Sequence, residues 1–351
     1  MLMIYNNSQL ITHSMLIESN KSLLPYNTFR IDVMAKYFVE VTSHEDLLAL
    51  IETDEFKSNA RFVLGGGSNL LLTKDFDGIV IRLGIKGISV EENSDDIFVK
   101  AGAAEVWNDF VQFNVNKGYA GLENLSLIPG TVGACPIQNI GAYGVEVKDT
   151  IVEVEAFHLA SASIQKFTNA ECKFAYRESI FKNECKGEYI ILSVTFKLSK
   201  TPSLKLHYGA IEEEFKKRGI TNPSLRNVAD VVSEIRVSKL PDPSTIGNSG
   251  SFFKNPIVEK SQFDELISKH PNLVNFPASE GRVKLAAGWL IEQCDWKGKQ
   301  IGHVGTWKNQ ALVIVNHGDA TGKEIYDFSA LIIQSVFERF GVSLEREVNI
   351  L

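Results

Sequence analysis

The sequence predicts an α+β protein of two domains. Runs rich in β-branched and aromatic residues, typical of strands, alternate with capped amphipathic segments typical of helices, and Gly-rich loops separate some of them. The 351 residues are 44% hydrophobic and 23% charged, which is enough apolar sequence to bury a sizeable core. The pattern turns polar around Lys200 to Ser203, where we place the boundary between the domains.

Charge and cysteine usage exclude several classes of protein. The formal net charge of -7 argues against a general nucleic-acid binder, because affinity for phosphate backbones needs a surplus of Lys and Arg. Residues Met1 to Ser22 are mildly apolar but interrupted by polar side chains, so we expect an extension or poorly ordered tail and not a signal peptide or membrane span. We expect reduced cytoplasmic thiols and no metal site, because no Cys-x-x-Cys pair occurs among Cys135, Cys172, Cys185 and Cys294.

Residue type and periodicity predict the individual elements. Strands are expected at Tyr37 to Val41, Arg61 to Leu64, Ile79 to Leu83, Ile97 to Ala101, Ile151 to Leu159, Ser163 to Phe167 and Tyr189 to Leu198. Helices are expected after Ser43, near Glu105 to Lys117, at Gly209 to Gly219, after Ser224 and near Gly322 to Phe340. Ser43 and Asp46 have the spacing of a capping box. A turn is expected at Asp77-Gly78, before the strand that begins at Ile79. Pro241 is expected to end the helix that Ser224 caps.

Two glycine-rich loops are the strongest candidates for a ligand site. The first is Gly65 to Asn69, and the second, Leu127 to Val145, contains four glycines and two prolines. Glycine lets main-chain N–H groups approach an anion, while proline fixes the shape of the loop in advance. The first loop matches neither the Gly-x-Gly-x-x-Gly fingerprint nor a Walker loop, so we interpret it as an anion-binding nest. A ligand that bears phosphate is the functional interpretation, and a buried structural loop is the alternative.

Two further residues are candidates for chemistry. Arg177 lies in the aromatic run Phe174 to Lys182 and suits a carboxylate, either on a ligand or on the protein surface. Ser251, within Gly247 to Pro256, is a candidate for proton transfer, although a serine after glycine is commonly a turn residue. No Gly-x-Ser-x-Gly elbow occurs, which disfavours a hydrolase triad.

Several motifs follow one another in a characteristic order. They are Asn27-Thr28-Phe29, Leu64 to Leu70, Gly121-Leu122-Glu123, Ile128 to Gly144, Tyr176 to Ser179, Lys239 to Pro241, Gly250 to Pro256, Lys284 to Ile291 and Gln310 to Leu312. Together they resemble the UDP-N-acetylenolpyruvoylglucosamine reductases of bacterial cell-wall synthesis, commonly called MurB. The resemblance extends from about Leu23 to the C-terminus, and His207-Tyr208-Gly209 is similar to the subtype with an extra substrate-closing loop.

The resemblance implies a fold and an activity. The fold would be α+β, with a two-lobed FAD-binding domain of the PCMH/vanillyl-alcohol-oxidase type at residues 23–200, split near residue 90. A C-terminal α+β substrate-binding domain would follow at residues 201–351. Residues 1–22 would be an N-terminal extension. The activity would be reduction of the enolpyruvyl group of UDP-N-acetylenolpyruvoylglucosamine to give UDP-N-acetylmuramic acid. We expect non-covalent FAD, NADPH as co-substrate, no nucleic-acid or membrane partner, a monomer and a cytoplasmic location.

The resemblance also implies roles for individual residues. Ser251 would donate a proton to C2, while Arg177 and Glu347 would stabilise the enol-type intermediate, since hydride addition builds negative charge on the substrate carboxylate. FAD would be bound by Gly65, Gly66, Gly67, Ser68, Asn69, Pro129, Gly130, Thr131, Gly133, Ala134, Cys135, Gln138, Gly141, Ala142, Tyr143 and Gly144. The UDP-sugar would be contacted by Tyr208, Arg236, Lys239, Asn255, Phe276 and Gln310. Serine is a weak acid, so cations should lie near its hydroxyl, and Lys254, Lys239 and Arg177 are the candidates.

Three positions depart from the family pattern. Arg346 stands where a proline commonly precedes the terminal acid, Phe276 replaces a tyrosine, and Ala134-Cys135 occupy places often filled by small residues or serine. Cys135 raises the alternative of covalent FAD attachment, which packed thiols rarely support.

Two other classes of protein are alternatives to the reductase. An FAD-dependent oxidase of alcohols would lack the three catalytic residues, and a non-catalytic flavin-binding or nucleotide-sugar-binding protein would tolerate their loss.

Overall fold

The first part of the chain forms one mixed sheet. The computed structural model describes residues 15–93, 96–279 and 281–351. The first strands are β1 (Ile17–Ser22), β2 (Met34–Val41), β3 (Ala60–Leu64), β4 (Leu70–Leu71) and β5 (Phe76–Leu83). Four of them are ordered β1-β2-β5-β3, with β1 antiparallel to β2 and with β5 parallel to both of its neighbours. Helices α1 (His44–Ile51) and α2 (Asp54–Ser58) connect β2 to β3.

The predicted cap of α1 is confirmed. The Ser43 hydroxyl accepts a hydrogen bond from the Asp46 main-chain N–H at 3.1 Å, and Asp46 Oδ2 accepts one from the Ser43 main-chain N–H at 3.1 Å. This reciprocal pair satisfies two N–H groups that the helix leaves unpaired at its start. The start of the helix is therefore fixed by local chemistry.

Two expectations for this region differ from the structure. The Asp77-Gly78 turn is wrong, because both residues lie within β5. A Cβ on Gly78 would stand 2.4 Å from the Ala60 carbonyl oxygen, so glycine permits a close approach of two strands here instead of a turn. Residues 17–22 of the expected poorly ordered tail form β1 and pair with β2. Residues 1–14 of that tail lie outside the described residues.

The middle of the chain forms an antiparallel sheet around the central glycine-rich loop. Its elements are β6 (Ile88–Glu92), β7 (Asp96–Gly102), α3 (Trp107–Lys117), β8 (Gly141–Ala142), β9 (Val145–Glu146), β10 (Ile151–His158), β11 (Ser163–Thr168) and β12 (Tyr189–Ser199). The five long strands are ordered β11-β10-β12-β7-β6, and β8 pairs with β9 in a short hairpin. Trp107, Phe110 and Phe196 pack with ring centroids 5.0–6.1 Å apart between α3 and this sheet.

A helical pair follows the second sheet. These helices are α4 (Gly209–Arg218) and α5 (Leu225–Lys239), and α5 begins with the predicted Ser224 cap, which forms a capping box with Asn227. Their facing residues form a small apolar cluster that includes Ile211, Phe215 and Val228. Tyr143 from the central loop packs against this cluster, so the helical pair lies beside the loop.

The remaining chain adds two small sheets, three helices and one further short strand. The elements are β13 (Gly247–Ser251), β14 (Ile257–Glu259), α6 (Lys260–Lys269), β15 (Asn275–Pro277), β16 (Arg282–Leu285), α7 (Ala287–Gln293), β17 (Gln300–Ile301), β18 (Val304–Trp307), β19 (Gln310–Asn316), α8 (Gly322–Phe340) and β20 (Asn349–Ile350). One sheet is ordered β13-β19-β18-β17 and the other β14-β16-β15, while β20 pairs in parallel with β4. The predicted α+β class is confirmed, and the largest apolar core joins residues 23–80 to residues 252–348.

Candidate active site

A cavity of about 260 Å³ lies between the two glycine-rich loops. Every FAD-binding residue predicted within residues 65–69 and 129–138 lines it, whereas residues 141–144 of the predicted set do not. Tyr189 and Ile191 of β12 also line the cavity, and sequence reasoning missed both. Their alternation on a strand matches that of core residues, so the sequence held no signal that separated them from the core.

The two loops touch each other through glycine. A Cβ on Gly66 would lie 3.0 Å from the Gly130 Cα, and one on Gly67 would lie 2.0 Å from the Tyr26 carbonyl oxygen. Gly67 also has φ +62°, a conformation that side chains disfavour. The loop is therefore shaped by contacts that only glycine allows.

The loops present main-chain donors to the cavity. Within the described part of the chain, the N–H groups of Gly66, Gly67, Ser68 and Asn69 donate to no protein acceptor. Consecutive free N–H groups form an anion-binding nest. The Asn69 side chain joins the loops, because its Nδ2 donates to Gln138 Oε1 at 2.8 Å. This donor set fits the pyrophosphate of a dinucleotide cofactor such as FAD.

The thiol of Cys135 lines the same cavity. Its side chain is fully buried, and burial raises the pKa of the thiol well above its usual range. A neutral thiol is a poor nucleophile. This environment supports non-covalent binding of a cofactor over attachment through sulfur.

Arg177 and Glu347 form a largely buried ion pair. Arg177 Nε donates to Glu347 Oε1 at 2.8 Å, and the two side chains are 17% and 12% exposed. Arg177 Nη2 donates to the Gly141 carbonyl oxygen at 2.8 Å. Gly141 therefore contacts the guanidinium, although it does not line the cavity. The alternative that Arg177 pairs with a carboxylate on the protein surface is wrong. Its partner Glu347 is only 12% exposed and lies 170 residues away in the sequence.

Burial dominates the electrostatics of this pair. Burial raises the pKa of Glu347, while the charge and hydrogen bond of Arg177 oppose that rise. Asn69 Nδ2 also donates to the Glu347 carbonyl oxygen at 3.2 Å. The main chain at Glu347 is thus held beside the first glycine-rich loop.

Ser251 is followed directly by a residue that pairs with Glu347. It is the exposed last residue of β13, paired with Val313, and it is not in a turn. The next residue, Phe252, accepts a hydrogen bond from the Glu347 main-chain N–H at 2.8 Å, and Lys254 donates its main-chain N–H to the Glu345 carbonyl oxygen at 2.9 Å. Antiparallel pairing of these two segments therefore brings Ser251 and Glu347 to the same region.

Lys254 and Arg346, on either side of this pairing, each have defined partners. The Lys254 ammonium, a candidate partner for Ser251, donates instead to Glu178 Oε1 at 2.8 Å and to Glu345 Oε1 at 2.5 Å. The Arg346 guanidinium lies 4.2 Å from the centroid of the Tyr326 ring on α8, and its Nε donates to Ser329 Oγ at 2.8 Å. Arg346 thus fastens the C-terminal segment to α8.

Some predicted substrate residues meet beside the helical pair. The Tyr208 ring packs edge-on against Tyr143 with centroids 5.4 Å apart, at the start of α4. Arg236 Nε donates to the Leu127 carbonyl oxygen at 3.1 Å. Lys239, the last residue of α5, is exposed. Burial raises the pKa of Tyr143 and of Tyr208, so both phenols stay neutral and can donate hydrogen bonds.

A second group lies beside Arg177. Asn255 Oδ1 accepts from the Ala287 main-chain N–H at 2.9 Å, at the start of α7. The Lys284 ammonium lies 4.6 Å from the Tyr176 ring centroid and 5.9 Å from that of Phe276. Lys284 belongs to one of the family motifs, but the sequence predicts no role for it. The two aromatic rings around its charge are brought together by the fold, so no local signal marked it.

Gln310 completes the predicted substrate set at the edge of the other sheet. Its Oε1 accepts from the Leu312 main-chain N–H at 3.3 Å. The neighbouring Asn309 donates through Nδ2 to the Ser238 carbonyl oxygen at 3.1 Å. This contact joins the turn between β18 and β19 to the end of α5, which carries Lys239.

Two kinds of feature are absent from the described residues. In residues 15–93, 96–279 and 281–351, no helix has the length and apolar character needed to cross a membrane. Within the same ranges, no three His, Cys, Asp or Glu side chains cluster as ligands for a metal ion.

Comparisons with known proteins agree with this geometry. A family model described as UDP-N-acetylenolpyruvoylglucosamine reductase, C-terminal domain, matches residues 242–351, and one described as FAD binding domain matches residues 35–168. The chain is 50% identical over 337 residues to the UDP-N-acetylenolpyruvoylglucosamine reductase of Flavobacterium johnsoniae, covering 95% of this chain and 99% of that relative. It is 50% identical over 334 residues to the enzyme of the same name from Bdellovibrio bacteriovorus, with the same coverage.

A solved structure shares the fold. The crystal structure of the reductase from Thermus caldophilus matches with a TM-score of 0.66 at 24% identity, and the match covers 96% of this chain and 99% of that one. The residues matched by the two family models include both glycine-rich loops and the C-terminal acid. The chain therefore belongs to the UDP-N-acetylenolpyruvoylglucosamine reductase family and is an FAD-dependent oxidoreductase of peptidoglycan precursor synthesis.

Proposed function

We propose that this chain reduces the enolpyruvyl group of UDP-N-acetylenolpyruvoylglucosamine through Arg177, Ser251 and Glu347. The largely buried ion pair between Arg177 and Glu347, with 2.8 Å between Nε and Oε1, carries this proposal. A largely buried guanidinium that contacts the second glycine-rich loop suits a reaction that places negative charge on a carboxylate.

The roles follow from the charge that the reaction creates. FAD held by the loops at 65–69 and 129–144 would supply the hydride, taken from NADPH, for addition to C3 of the enolpyruvyl group. Addition at C3 leaves an electron pair that C2 shares with the neighbouring carboxylate. Arg177 stabilises this charge through its N–H donors, and Glu347 fixes the orientation of the guanidinium.

Ser251 completes the reaction by protonating C2. Its Oγ–H bond breaks as the C2–H bond forms, and the serine regains a proton from solvent, to which the side chain is exposed. Hydride at C3 and proton at C2 together convert the enolpyruvyl ether to the lactyl ether of UDP-N-acetylmuramic acid. Glu347, whose pKa is raised by burial, is the alternative acid.

Binding is divided between the two parts of the chain. Residues 23–200, in two lobes that divide near residue 90, would bind FAD through the loops at 65–69 and 129–144. Residues 201–351 would bind the UDP-sugar through Tyr208, Arg236, Lys239, Asn255, Phe276 and Gln310, joined by Lys284. Residues 1–22 would be an N-terminal extension, of which 17–22 pair with the first sheet. The enzyme would act as a cytoplasmic monomer with NADPH as reductant and without a nucleic-acid partner.

Ser251→Ala tests the proposal by separating the two halves of the cycle. Ser251 has no role when NADPH reduces the flavin, so anaerobic bleaching by NADPH should stay near normal in the variant. Reoxidation by the UDP-sugar should slow by about 10²- to 10⁴-fold, the typical cost of losing a general acid. Stopped-flow absorbance of the flavin, with each substrate in turn, measures both steps.

Ser249→Ala is the matched control for this experiment. Ser249 lies on the same strand, but its hydroxyl is buried and has no hydrogen-bond partner among the described residues. Both half-reactions should stay within a few-fold of normal in this control. Reoxidation of Ser251→Ala at a near-normal rate would remove Ser251 from the mechanism, and equal slowing of both halves would mean that Ser251 only shapes its strand.

A further inference from the structure

The turn that carries Arg177 adopts an unfavourable backbone conformation. Ala175 and Glu178 close the turn, and each main-chain N–H donates to the carbonyl oxygen of the other at 3.1 Å. Arg177 has φ +58°, in the left-handed region that disfavours residues with a Cβ. Lys182 Nζ donates to the Arg177 carbonyl oxygen at 2.9 Å. One side chain from outside the turn therefore stabilises this conformation.

Lys182 also belongs to a charged network. Its Nζ lies 3.4 Å from Glu178 Oε1, and the same oxygen accepts from Lys254 Nζ at 2.8 Å. Lys254 Nζ donates in turn to Glu345 Oε1 at 2.5 Å. Two ammonium groups and two carboxylates balance in charge, and the Lys254 side chain is only 9% exposed. The network links the Arg177 turn to the two paired segments beside the other catalytic residues.

We propose that Lys182 is a positioning residue for the Arg177 guanidinium. By holding the Arg177 carbonyl oxygen, it keeps the turn in the conformation from which Arg177 reaches Glu347 and Gly141, each at 2.8 Å. Lys182 acts only through Arg177, so this inference rests on the role proposed for Arg177. A displacement of a catalytic group by about 1 Å costs on the order of 100-fold in rate.

Lys182→Met tests this role because methionine keeps an unbranched apolar side chain and removes the ammonium. The flavin should still bind and should still be reduced by NADPH within a few-fold of the normal rate. Reoxidation by the UDP-sugar should slow by about 10- to 100-fold. Lys182→Arg, which keeps a charged donor, should recover reoxidation to within a few-fold of the unmodified enzyme.

A readout independent of turnover follows the turn itself. Amide hydrogen exchange in peptides that cover residues 175–182 should become at least about 10-fold faster in Lys182→Met, because the turn opens more often. Lys173→Met is the matched control, since Lys173 lies in the same segment and forms an exposed ion pair with Glu184. This control should leave both the exchange and the reoxidation unchanged.

A double variant separates positioning from general stability. If Lys182 acts through Arg177, adding Lys182→Met to Arg177→Met should slow reoxidation no further than Arg177→Met does alone. Additive losses, or normal reoxidation and exchange in Lys182→Met, would overturn the inference while leaving the role of Arg177 intact. Near-normal reoxidation in Arg177→Met itself would instead overturn the proposed function on which this inference rests.

Discussion

The Glu347 carboxylate is largely buried, and Arg177 stabilises its charged form. Burial raises the pKa of Glu347, and the charge and hydrogen bond of Arg177 are the largest opposing influences. Without the guanidinium, the pKa of Glu347 would rise further. The folded state already binds this proton more tightly than the unfolded chain, in which glutamate titrates near about 4.3, and loss of the guanidinium would enlarge that difference.

Arg177→Met should therefore destabilise the protein in a pH-dependent way. Near the unfolded pKa of about 4.3, the carboxyl is largely protonated in the folded variant and costs little. As pH rises through the folded pKa of Glu347, ionisation costs the folded state free energy, up to about 3–5 kcal/mol at neutral pH. Denaturant unfolding of the unmodified protein and the variant at pH 5 and pH 8 measures the difference.

Glu347→Gln supplies the control for that measurement. In the Arg177→Met, Glu347→Gln double variant no buried carboxylate remains at this position, so the additional loss of stability between pH 5 and pH 8 should disappear. An equal cost of Arg177→Met at both pH values would show that the pair contributes packing and not charge compensation.

At the scale of elements, the first glycine-rich loop depends on one residue. Gly67 has φ +62°, and a Cβ there would lie 2.0 Å from the Tyr26 carbonyl oxygen. Gly67→Ala must move the loop, so FAD should bind at least about 10-fold more weakly, in line with the ~1–3 kcal/mol cost of overpacking. Titration of the apoprotein with FAD measures the change.

Gly118→Ala distinguishes crowding from backbone strain. Gly118 caps α3 with φ +78°, but a Cβ there would meet no atom within 4 Å. The substitution carries the strain of positive φ without the clash, so FAD affinity should stay near normal. Similar losses of FAD affinity in both variants would show that general destabilisation explains the effect at Gly67.

The elements that the sequence predicted well are those fixed by local chemistry. Ser43 and Ser224 cap their helices through side chains three residues away, so a short window contains all the partners. Local patterns failed to predict the elements that depend on pairing with distant segments of the chain. Gly78 indicated a turn but permits close packing of two strands, and β13 is a strand because β19 pairs with it.

The candidate site shows the same division. Sequence reasoning located both glycine-rich loops, because their composition is unusual over a short stretch. Arg177 and Glu347 stand 170 residues apart, so only the resemblance to a family could pair them with a function. Lys284 was missed because the aromatic ring of Tyr176 beside it comes from a segment distant in the sequence. Lys182 was missed because its contact depends on the left-handed turn at Arg177, which no residue type marked.

At the scale of the molecule, one core joins the first sheet to the C-terminal part of the chain. Phe29 and Phe252 are fully buried, with ring centroids 6.1 Å apart. Thr28 Oγ1 donates to the Asn248 carbonyl oxygen at 2.6 Å, and Asn316 Nδ2 donates to the Phe29 carbonyl oxygen at 2.9 Å. The segment at 27–29 thus connects the strand that carries Ser251 to the loop at Gly67, whose carbonyl oxygen accepts from the Thr28 N–H at 3.1 Å.

This shared core predicts that the first sheet and the C-terminal part unfold together. Phe252→Ala should lower the free energy of unfolding by about 3–5 kcal/mol, and native-state hydrogen exchange should accelerate equally in β5 and α8. Phe215→Ala is the matched control, because Phe215 is equally aromatic and buried but packs in the separate cluster of α4 and α5. Its effect should be strongest in those two helices and weak in β5. Faster exchange in α8 alone after Phe252→Ala would mean that the two parts unfold independently across this core.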